Sequence, residues 1–233
     1  MSKEWPIPDP FPVLADNEVH LWVVNLSAER DLVLSFDEQE RAERYKIEKP
    51  RQQFAMARTG LRLLLSNYLN SAPTGIRFMY ADHGKPWISH PETDLQFNVS
   101  HSQDYALIGF TQGHPIGVDI EWLGRKADVE SLTTRFYSDS EQSALAVVPS
   151  AARHHAFLDC WVQKEAYLKS LGSGLSRDTR SFSVSVSGGL IADSLDSKAT
   201  AQWKLDLLTP AEEYTAAVST KKPSTDRQLF RID

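Results

Sequence analysis

Residues 117–122 read GVDIEW, inside the run HPIGVDIEWLGRK, and place two carboxylates two positions apart. Successive side chains of a strand point to opposite faces, so Asp119 and Glu121 share one face while Val118 and Ile120 share the other. Adjacent carboxylates repel each other unless a positive group or water lies beside them. The stretch therefore predicts a strand that presents its two acids to an Arg or Lys, to a metal ion or to solvent.

The residues before this strand predict one α/β unit. The segment EVHLWVVNL (18–26) is typical of a buried strand. Ser35 and Glu38 have the spacing of a capping box, which predicts a short helix that Pro50 ends. Apolar residues recur at helical spacing over 51–69, so a second, longer helix is predicted there. Extended segments are then predicted at 76–80, 97–102 and 105–110.

The same order of elements recurs from GVDIEW onward. Ser138 and Glu141 repeat the capping-box spacing, and residues 153–171 predict a long helix. Further strands are predicted at 181–187, 201–208 and 214–219. The architecture repeats although few residues are identical. We therefore predict a mixed α/β (α+β) fold of two similar halves, residues 1–113 and 114–233, with a ligand favoured in the crevice between them.

Composition limits the class of protein. The chain has 233 residues, 41% of them hydrophobic and 24% charged, which suits a globular fold with a substantial core. A net charge of -6 disfavours nucleic-acid binding through bulk positive charge. A single cysteine, Cys160, excludes an intrachain disulfide framework, and no apolar run reaches the length of about 18 residues expected of a membrane span. The start, MSKEWPIPDPFP, lacks the apolar core of a signal peptide, so we expect a cytoplasmic protein.

The predicted long helix carries Trp161, Glu165 and Lys169 at intervals of four residues, so they share one helix face. One interpretation is an exposed Glu–Lys pair that stabilises the helix by about 0.2–0.5 kcal/mol. The other is that Glu165 joins Asp119 and Glu121 after the chain returns from strand to helix. Three carboxylates form a hard, oxygen-rich site, which suits Mg²⁺ bound together with substrate phosphates.

A metal that binds phosphates needs further cations nearby, and the first half contains candidates. They are Lys85 in the turn HGKPW, Ser100 and His101 in NVSHS, and Arg51 and Arg58 on the predicted helix. Arg binds phosphate through a bidentate fork, and Lys binds it as a point charge. Taken singly, each has an ordinary explanation as a hydrogen-bonded structural residue or a solvated charge. Taken together, they predict an anion-binding surface.

Four motifs follow one another along the chain: GKPWI, FNVSHS, GVDIEW and WVQKEAYLKSLGSGL. In this order they resemble the motifs of the Sfp-type 4'-phosphopantetheinyl transferases. The resemblance covers roughly residues 35–186. Gln103 stands where the family often has Gly, which leaves the geometry of the turn after FNVSHS open.

The resemblance implies two similar halves in a pseudo-twofold arrangement with coenzyme A between them, and such an internal pair favours a monomer. It implies that Mg²⁺ is bound by Asp119, Glu121 and Glu165. It implies that the phosphates and adenosine of coenzyme A are held by Arg58, Lys85, Ser100, His101, Asp119 and Lys169, with Arg51 as a looser candidate.

The implied activity is transfer of 4'-phosphopantetheine from coenzyme A to a serine of an apo acyl, peptidyl or related carrier protein. In that reaction Lys169 would stabilise developing negative charge, and Glu165 would accept the serine proton as well as bind metal. Two other classes stay open. One is a coenzyme A or carrier-binding module without catalysis, and the other is a two-carboxylate hydrolase, although such acids lie on opposite sides of the bond they cleave.

Carrier proteins are commonly acidic around the modified serine, so a protein of net charge -6 needs a local basic surface to bind one. Arg125, Lys126 and Arg135 follow Glu121 closely and are the candidates. An ordinary solvated loop and helix start is the alternative interpretation.

Overall fold

The structure is a computed structural model that describes residues 5–221 and 226–233. Its strands are β1 (Glu18–Asn25), β2 (Arg77–Tyr80), β3 (Pro86–His90), β4 (Leu95–Ser102), β5 (Tyr105–Gln112), β6 (Ile116–Trp122), β7 (Phe182–Val184), β8 (Leu190–Asp193), β9 (Trp203–Leu208), β10 (Tyr214–Lys221) and β11 (Asp226–Ile232). Its α-helices are α1 (Phe36–Glu43), α2 (Glu48–Tyr68), α3 (Val129–Phe136), α4 (Asp139–Ala146), α5 (Ser150–Leu171) and α6 (Ala199–Gln202). Within these residues, no helix combines the length and apolar character needed to cross a lipid bilayer.

Two sheets pack face to face, and each carries a long helix on its outer face. The first sheet has the order β11-β1-β5-β4, and the second has the order β6-β10-β9. Helix α2 packs on the first sheet through a cluster that includes Leu61, Leu65 and Trp22. Helix α5 packs on the second sheet, and a third apolar cluster fills the space between the sheets. The predicted α+β class with two halves is therefore confirmed.

Strand β6 divides its residues between two environments, as its alternation predicts. Val118 and Ile120 are buried in the cluster between the sheets. Gly117, on the opposite face, lies against the backbone of α5, where an added Cβ would be 2.0 Å from the Ala166 carbonyl oxygen. Since Asp119 and Glu121 share the face of Gly117, this close approach brings the C-terminal turns of α5 over the two carboxylates.

Most predicted elements are confirmed, but some boundaries are wrong. Pro50 does not end the first helix, because α1 ends at Glu43 and α2 begins at Glu48 with Pro50 in its first turn. An N–H in that turn has no intrahelical acceptor, so its absence in proline costs little. The sequence pattern missed β3, which begins at the end of the segment HGKPW expected as a turn, and it also missed β8 and β11. The strand predicted at 181–187 is only three residues long.

Each half contains a buried acid in the same structural position. Glu38 accepts from the Ser35 backbone N–H and pairs with Arg62 on α2, at 2.6 Å. Glu141 likewise accepts from the Ser138 backbone N–H and pairs with Lys164 on α5, at 2.8 Å. Both cations also donate to backbone carbonyls of the segment after their helix. The capping-box acids thus tie a short helix to the long helix in both halves.

Strand β11 belongs to the second predicted half in sequence but pairs with a strand of the first half. It lies within 114–233, yet it pairs in parallel with β1, with Leu229 opposite Leu21. The division at residue 113 stays a prediction, because the first sheet takes strands from both sides of it.

Candidate active site

Three predicted site residues meet between the two halves of the protein. Asp119 on β6 is 5% exposed, and its Oδ1 accepts from Lys169 Nζ at 2.6 Å and from Ser100 Oγ at 2.7 Å. Lys169, in the last turn of α5, also donates to Ser100 Oγ at 3.0 Å and to the Val118 carbonyl at 3.2 Å. One strand from each sheet and the long helix of the second half therefore meet at this carboxylate.

Two further carboxylates lie within electrostatic reach of Asp119. Burial and the negative charge of Asp119 raise the pKa of Glu121, which Arg125 partly offsets. Burial and then Asp119 raise the pKa of Glu165, while Lys169 lowers it and Glu121 raises it further. The fold thus places Glu121 and Glu165 within electrostatic range of Asp119, whose negative charge makes it harder for either glutamate to ionise.

The chemistry of this cluster suits a hard cation. Oδ2 of Asp119 is buried and, among the described residues, has no hydrogen-bond partner. A buried carboxylate oxygen without a partner is costly, and a cation coordinated by several oxygens would relieve that cost. Within the described part of the chain, however, no group of three or more His, Cys, Asp and Glu side chains is arranged to hold a metal ion. Metal binding by the three acids therefore stays a prediction.

Glu121 has two hydrogen-bond partners that the sequence did not predict, Ser102 and Arg125. Ser102 Oγ donates to Glu121 Oε2 at 3.2 Å, and the Arg125 guanidinium donates to Oε1. The sequence predicted Arg125 only as a docking residue, and Ser102, the last residue of the motif FNVSHS, was assigned no role. The signal for Ser102 was its place two residues after Ser100, which puts both hydroxyls on one face of β4.

A small cavity on the first half of the protein lies beside the carboxylates of Asp119, Glu121 and Glu165. Its volume is about 180 Å³, and Arg41, Arg58, Tyr80, Asn98 and His101 are among the residues that line it. It adjoins a wider cleft of about 610 Å³ that shares Arg41 and Tyr80 and adds Arg44. Arg41 and Arg44 were missed by the sequence analysis, although their spacing on and just after α1 puts them on one face. The cavity wall is basic and suits an anion.

Arg58 faces both the cavity and the protein interior. Its Nε lies 3.3 Å from Glu38 Oε1, while Arg62 holds the other oxygen of the same carboxylate. Burial lowers the pKa of Arg58, and Glu38 opposes that shift. Because one carboxylate faces two guanidinium groups, the cluster keeps an excess positive charge beside the cavity. His101 lines the same cavity, and its pKa is lowered by partial burial and then by Lys169.

Lys85 lies at the contact between the halves. Its Nζ donates to the carbonyl of Ile116 at 2.9 Å and to that of Lys169 at 2.7 Å. Burial lowers the pKa of Lys85 to about 8. The side chain therefore connects the loop before β3 to the start of β6 and the end of α5, close to the predicted phosphate contacts.

Arg51 is separated from the other phosphate candidates. It lies in the first turn of α2, is bonded to Glu48, and lines a groove of about 790 Å³. Within the described part of the chain, that groove shares no lining residue with the cavity that contains Arg58 and His101. The turn after FNVSHS, left open by Gln103, is present: Gln103 has a φ of 48°, in the left-handed region, and Lys49 and Gln53 donate to it.

Comparison with known proteins gives matches along both halves. A family profile described as "4'-phosphopantetheinyl transferase superfamily" matches residues 115–219, and one described as "4'-phosphopantetheinyl transferase, N-terminal" matches residues 25–112. The chain is 36% identical over 185 residues to the 4'-phosphopantetheinyl transferase HetI of Nostoc sp., which covers 76% of this chain and 78% of that protein. It is 34% identical over 125 residues to the 4'-phosphopantetheinyl transferase Sfp of Bacillus subtilis, with 53% and 54% covered.

The solved structure of Thermotoga maritima holo-[acyl-carrier-protein] synthase superposes with a TM-score of 0.37 and 18% identity, over 46% of this chain and 62% of that one. The adjoining profile matches and the extent of the similarity to HetI establish the relationship by sequence. The chain belongs to the Sfp-type 4'-phosphopantetheinyl transferases.

Proposed function

We propose that coenzyme A binds across the contact between the two halves and reacts beside Asp119 and Lys169, with Mg²⁺ bound at the three carboxylates. The protein transfers 4'-phosphopantetheine from coenzyme A to a serine of a carrier protein. The observation that supports our placement of this reaction is the buried Asp119 carboxylate. One of its oxygens is held by Lys169 and Ser100, and the other is without a partner among the described residues.

The substrate contacts divide into two groups. Arg41, Arg58 and His101, which line the basic cavity, would hold the 3'-phosphate and the adenosine. Lys85, Ser100 and Lys169 lie nearer Asp119 and would hold the pyrophosphate. Arg51 lies in a separate groove, so we assign it no contact with the reacting phosphates.

Asp119, Glu121 and Glu165 would hold the metal ion. When bound, Mg²⁺ would neutralise phosphate charge and stabilise the phosphoryl group during transfer. The chemistry of the donors favours Mg²⁺ over softer metals because the set consists of carboxylate oxygens.

Residues of this chain accept the proton of the carrier serine and stabilise the negative charge on the leaving oxygen. A bond forms between the serine oxygen and the β-phosphorus of coenzyme A, and the bond from that phosphorus to the bridging oxygen breaks, so 3',5'-ADP leaves. Glu165, which lies within electrostatic range of Asp119, accepts the serine proton. Lys169 faces the charge that develops on the departing oxygen.

The protein as a whole is proposed to act as a monomer in the cytoplasm. The two halves already supply both sides of the substrate crevice, and the single cysteine, Cys160, is buried and free. An inactive binding module is not favoured as the function of this protein. The relatives of the chain are named as transferases, and the sequence contains all three carboxylates, Asp119, Glu121 and Glu165.

The test is mass spectrometry of an apo-carrier incubated with coenzyme A and the protein, with Mg²⁺ or with EDTA. With Mg²⁺, we expect the mass of the carrier to increase by that of phosphopantetheine. With EDTA, we expect no increase in the mass of the carrier. Asp119→Asn should abolish transfer and retain the circular dichroism spectrum of the wild type. Transfer at the full rate in EDTA would contradict the metal assignment, and full activity of Asp119→Asn would contradict the placement of the reaction.

A further inference from the structure

The edge of β6 is joined to β4 by side chains. Alternate residues of β4 reach across: Asn98 Oδ1 accepts from the Val118 backbone N–H at 2.8 Å, and Ser100 Oγ donates to Asp119 at 2.7 Å. Ser102 continues this row at the end of the strand. The three side chains of this row therefore contact β6 at successive points, from Val118 to Glu121.

Ser102 differs from the other two because its hydroxyl holds a side chain and the backbone together. It donates to Glu121 Oε2 at 3.2 Å and accepts from the Trp122 backbone N–H at 3.1 Å. A hydroxyl has one proton to donate, and here that proton goes to the carboxylate. The contact fixes the Glu121 carboxylate relative to its own strand. Arg125, at 43% side-chain exposure, holds the opposite oxygen from a more solvated position.

We propose that Ser102 is a positioning residue for the transfer reaction, acting through Glu121 without touching coenzyme A. The inference rests on the proposed function, in which Glu121 is a ligand of Mg²⁺. Without the Ser102 hydroxyl, Glu121 would have Arg125 as its remaining partner among the contacts described above, and its carboxylate would turn toward the guanidinium. The cation would then lose affinity because one ligand is no longer held in place.

The test uses the full chain with Ser102→Ala and Ser102→Thr, and with Ser219→Ala as the control. Ser219 is a buried serine of β10 whose hydroxyl bonds to Ser170 and, among the described residues, to no carboxylate. Cation binding is measured by calorimetry with Mn²⁺ on the complex with coenzyme A, beside the Mg²⁺ dependence of kcat. We expect Ser102→Ala to weaken Mn²⁺ binding about tenfold, Ser102→Thr to restore most of it, and Ser219→Ala to match the wild type.

A double-substitution cycle with Glu121→Gln separates positioning from general stability. If Ser102 acts through Glu121, Ser102→Ala should add little to the loss already caused by Glu121→Gln. Mn²⁺ binding by Ser102→Ala equal to that of Ser219→Ala, or fully additive losses in the cycle, would overturn the inference. A wild-type protein that binds no Mn²⁺ would overturn the metal assignment first, and the inference about Ser102 with it.

Discussion

Glu165 lies where a negative charge is unfavourable, because burial and two neighbouring acids raise its pKa. A carboxyl group with a raised pKa in the folded state costs stability above that pKa, and the cost disappears below the pKa of the unfolded chain, where both states are protonated. Glu165→Gln should therefore raise the melting temperature at pH 7 and have little effect near pH 3. The same substitution should lower kcat at least about 100-fold, since it removes both the proposed proton acceptor and a proposed ligand of Mg²⁺.

Calorimetric melting at the two pH values checks this prediction, with Glu130→Gln as the control. Glu130 is exposed on α3 and should change neither the melting temperature nor kcat. A Glu165→Gln protein that melts below the wild type at pH 7 would mean that Lys169 outweighs the repulsion.

Lys85 should make coenzyme A binding depend on pH in the alkaline range. Its pKa is about 8, so the ammonium is largely charged at pH 7 and largely neutral at pH 9. A lysine that loses its charge also loses its attraction to phosphate, and affinity should fall about tenfold over this range. Calorimetry at intermediate pH values gives the profile. Lys85→Arg should bind with little change up to pH 9, whereas Lys85→Met should bind weakly throughout. A profile in Lys85→Met as steep as that of the wild type would assign the dependence to another group.

At the scale of elements, the contact between β6 and α5 sets the distance between Asp119 and Lys169. An alanine Cβ at position 117 would lie 2.0 Å from the Ala166 oxygen and 2.4 Å from the Ser170 nitrogen, and backbone atoms cannot move aside easily. Gly117→Ala should therefore lower the free energy of unfolding by about 1–3 kcal/mol. It should also reduce kcat about 100-fold by displacing the end of α5.

Urea unfolding and steady-state kinetics measure the two effects. Gly75→Ala is the matched control, because the nearest heavy atom to its added Cβ is 3.7 Å away. If Gly117→Ala unfolds at the urea concentration of the wild type, the two elements are not held as closely as described here.

How far the sequence predicts these elements depends on the range of the interactions. Alternation placed Asp119 and Glu121 on one face of a strand, and capping boxes at Ser35 and Ser138 marked two helices, because these signals are local. The partners of Lys85 are two backbone carbonyls far away in sequence, and no local pattern reports them. Strand β11 was missed because charged residues interrupt its apolar positions. Helix spacing gave Glu165 two interpretations, an exposed ion pair and a third acid beside Asp119 and Glu121, and by itself it favoured the exposed pair. The family resemblance then implied the carboxylate site.

At the scale of the whole molecule, the net charge of -6 opposes binding of an acidic carrier unless a local surface attracts it. Lys126 and Arg135 are exposed on the segment after β6, whereas Arg125 contacts Glu121 and cannot be changed without disturbing the site. Lys126→Glu combined with Arg135→Glu should reduce kcat/KM for the carrier about tenfold at low salt and leave the KM for coenzyme A unchanged. Added salt should reduce the difference in kcat/KM for the carrier between this variant and the wild type, because salt screens the charges of both.

Initial rates at varied carrier concentration and ionic strength test the docking surface. Lys198→Glu reverses one exposed charge on a distant segment and should have a much smaller effect. Equal carrier kinetics in the wild type and the double reversal, at low salt, would place the docking surface elsewhere.

The parallel pairing of β11 with β1 bears on how the chain tolerates being divided. A fragment that stops near residue 113 would leave the Glu18–Asn25 strand, most of it buried, with one bare edge. Such edges recruit strands from other molecules, so the isolated fragment should aggregate. A second fragment that supplies Asp226–Ile232 would cover the edge and bring Asp119 and Lys169 with it. The enzyme is therefore suited to fragment complementation. Neither fragment should be active alone, and transfer of phosphopantetheine to a carrier should be measurable only when the two fragments assemble.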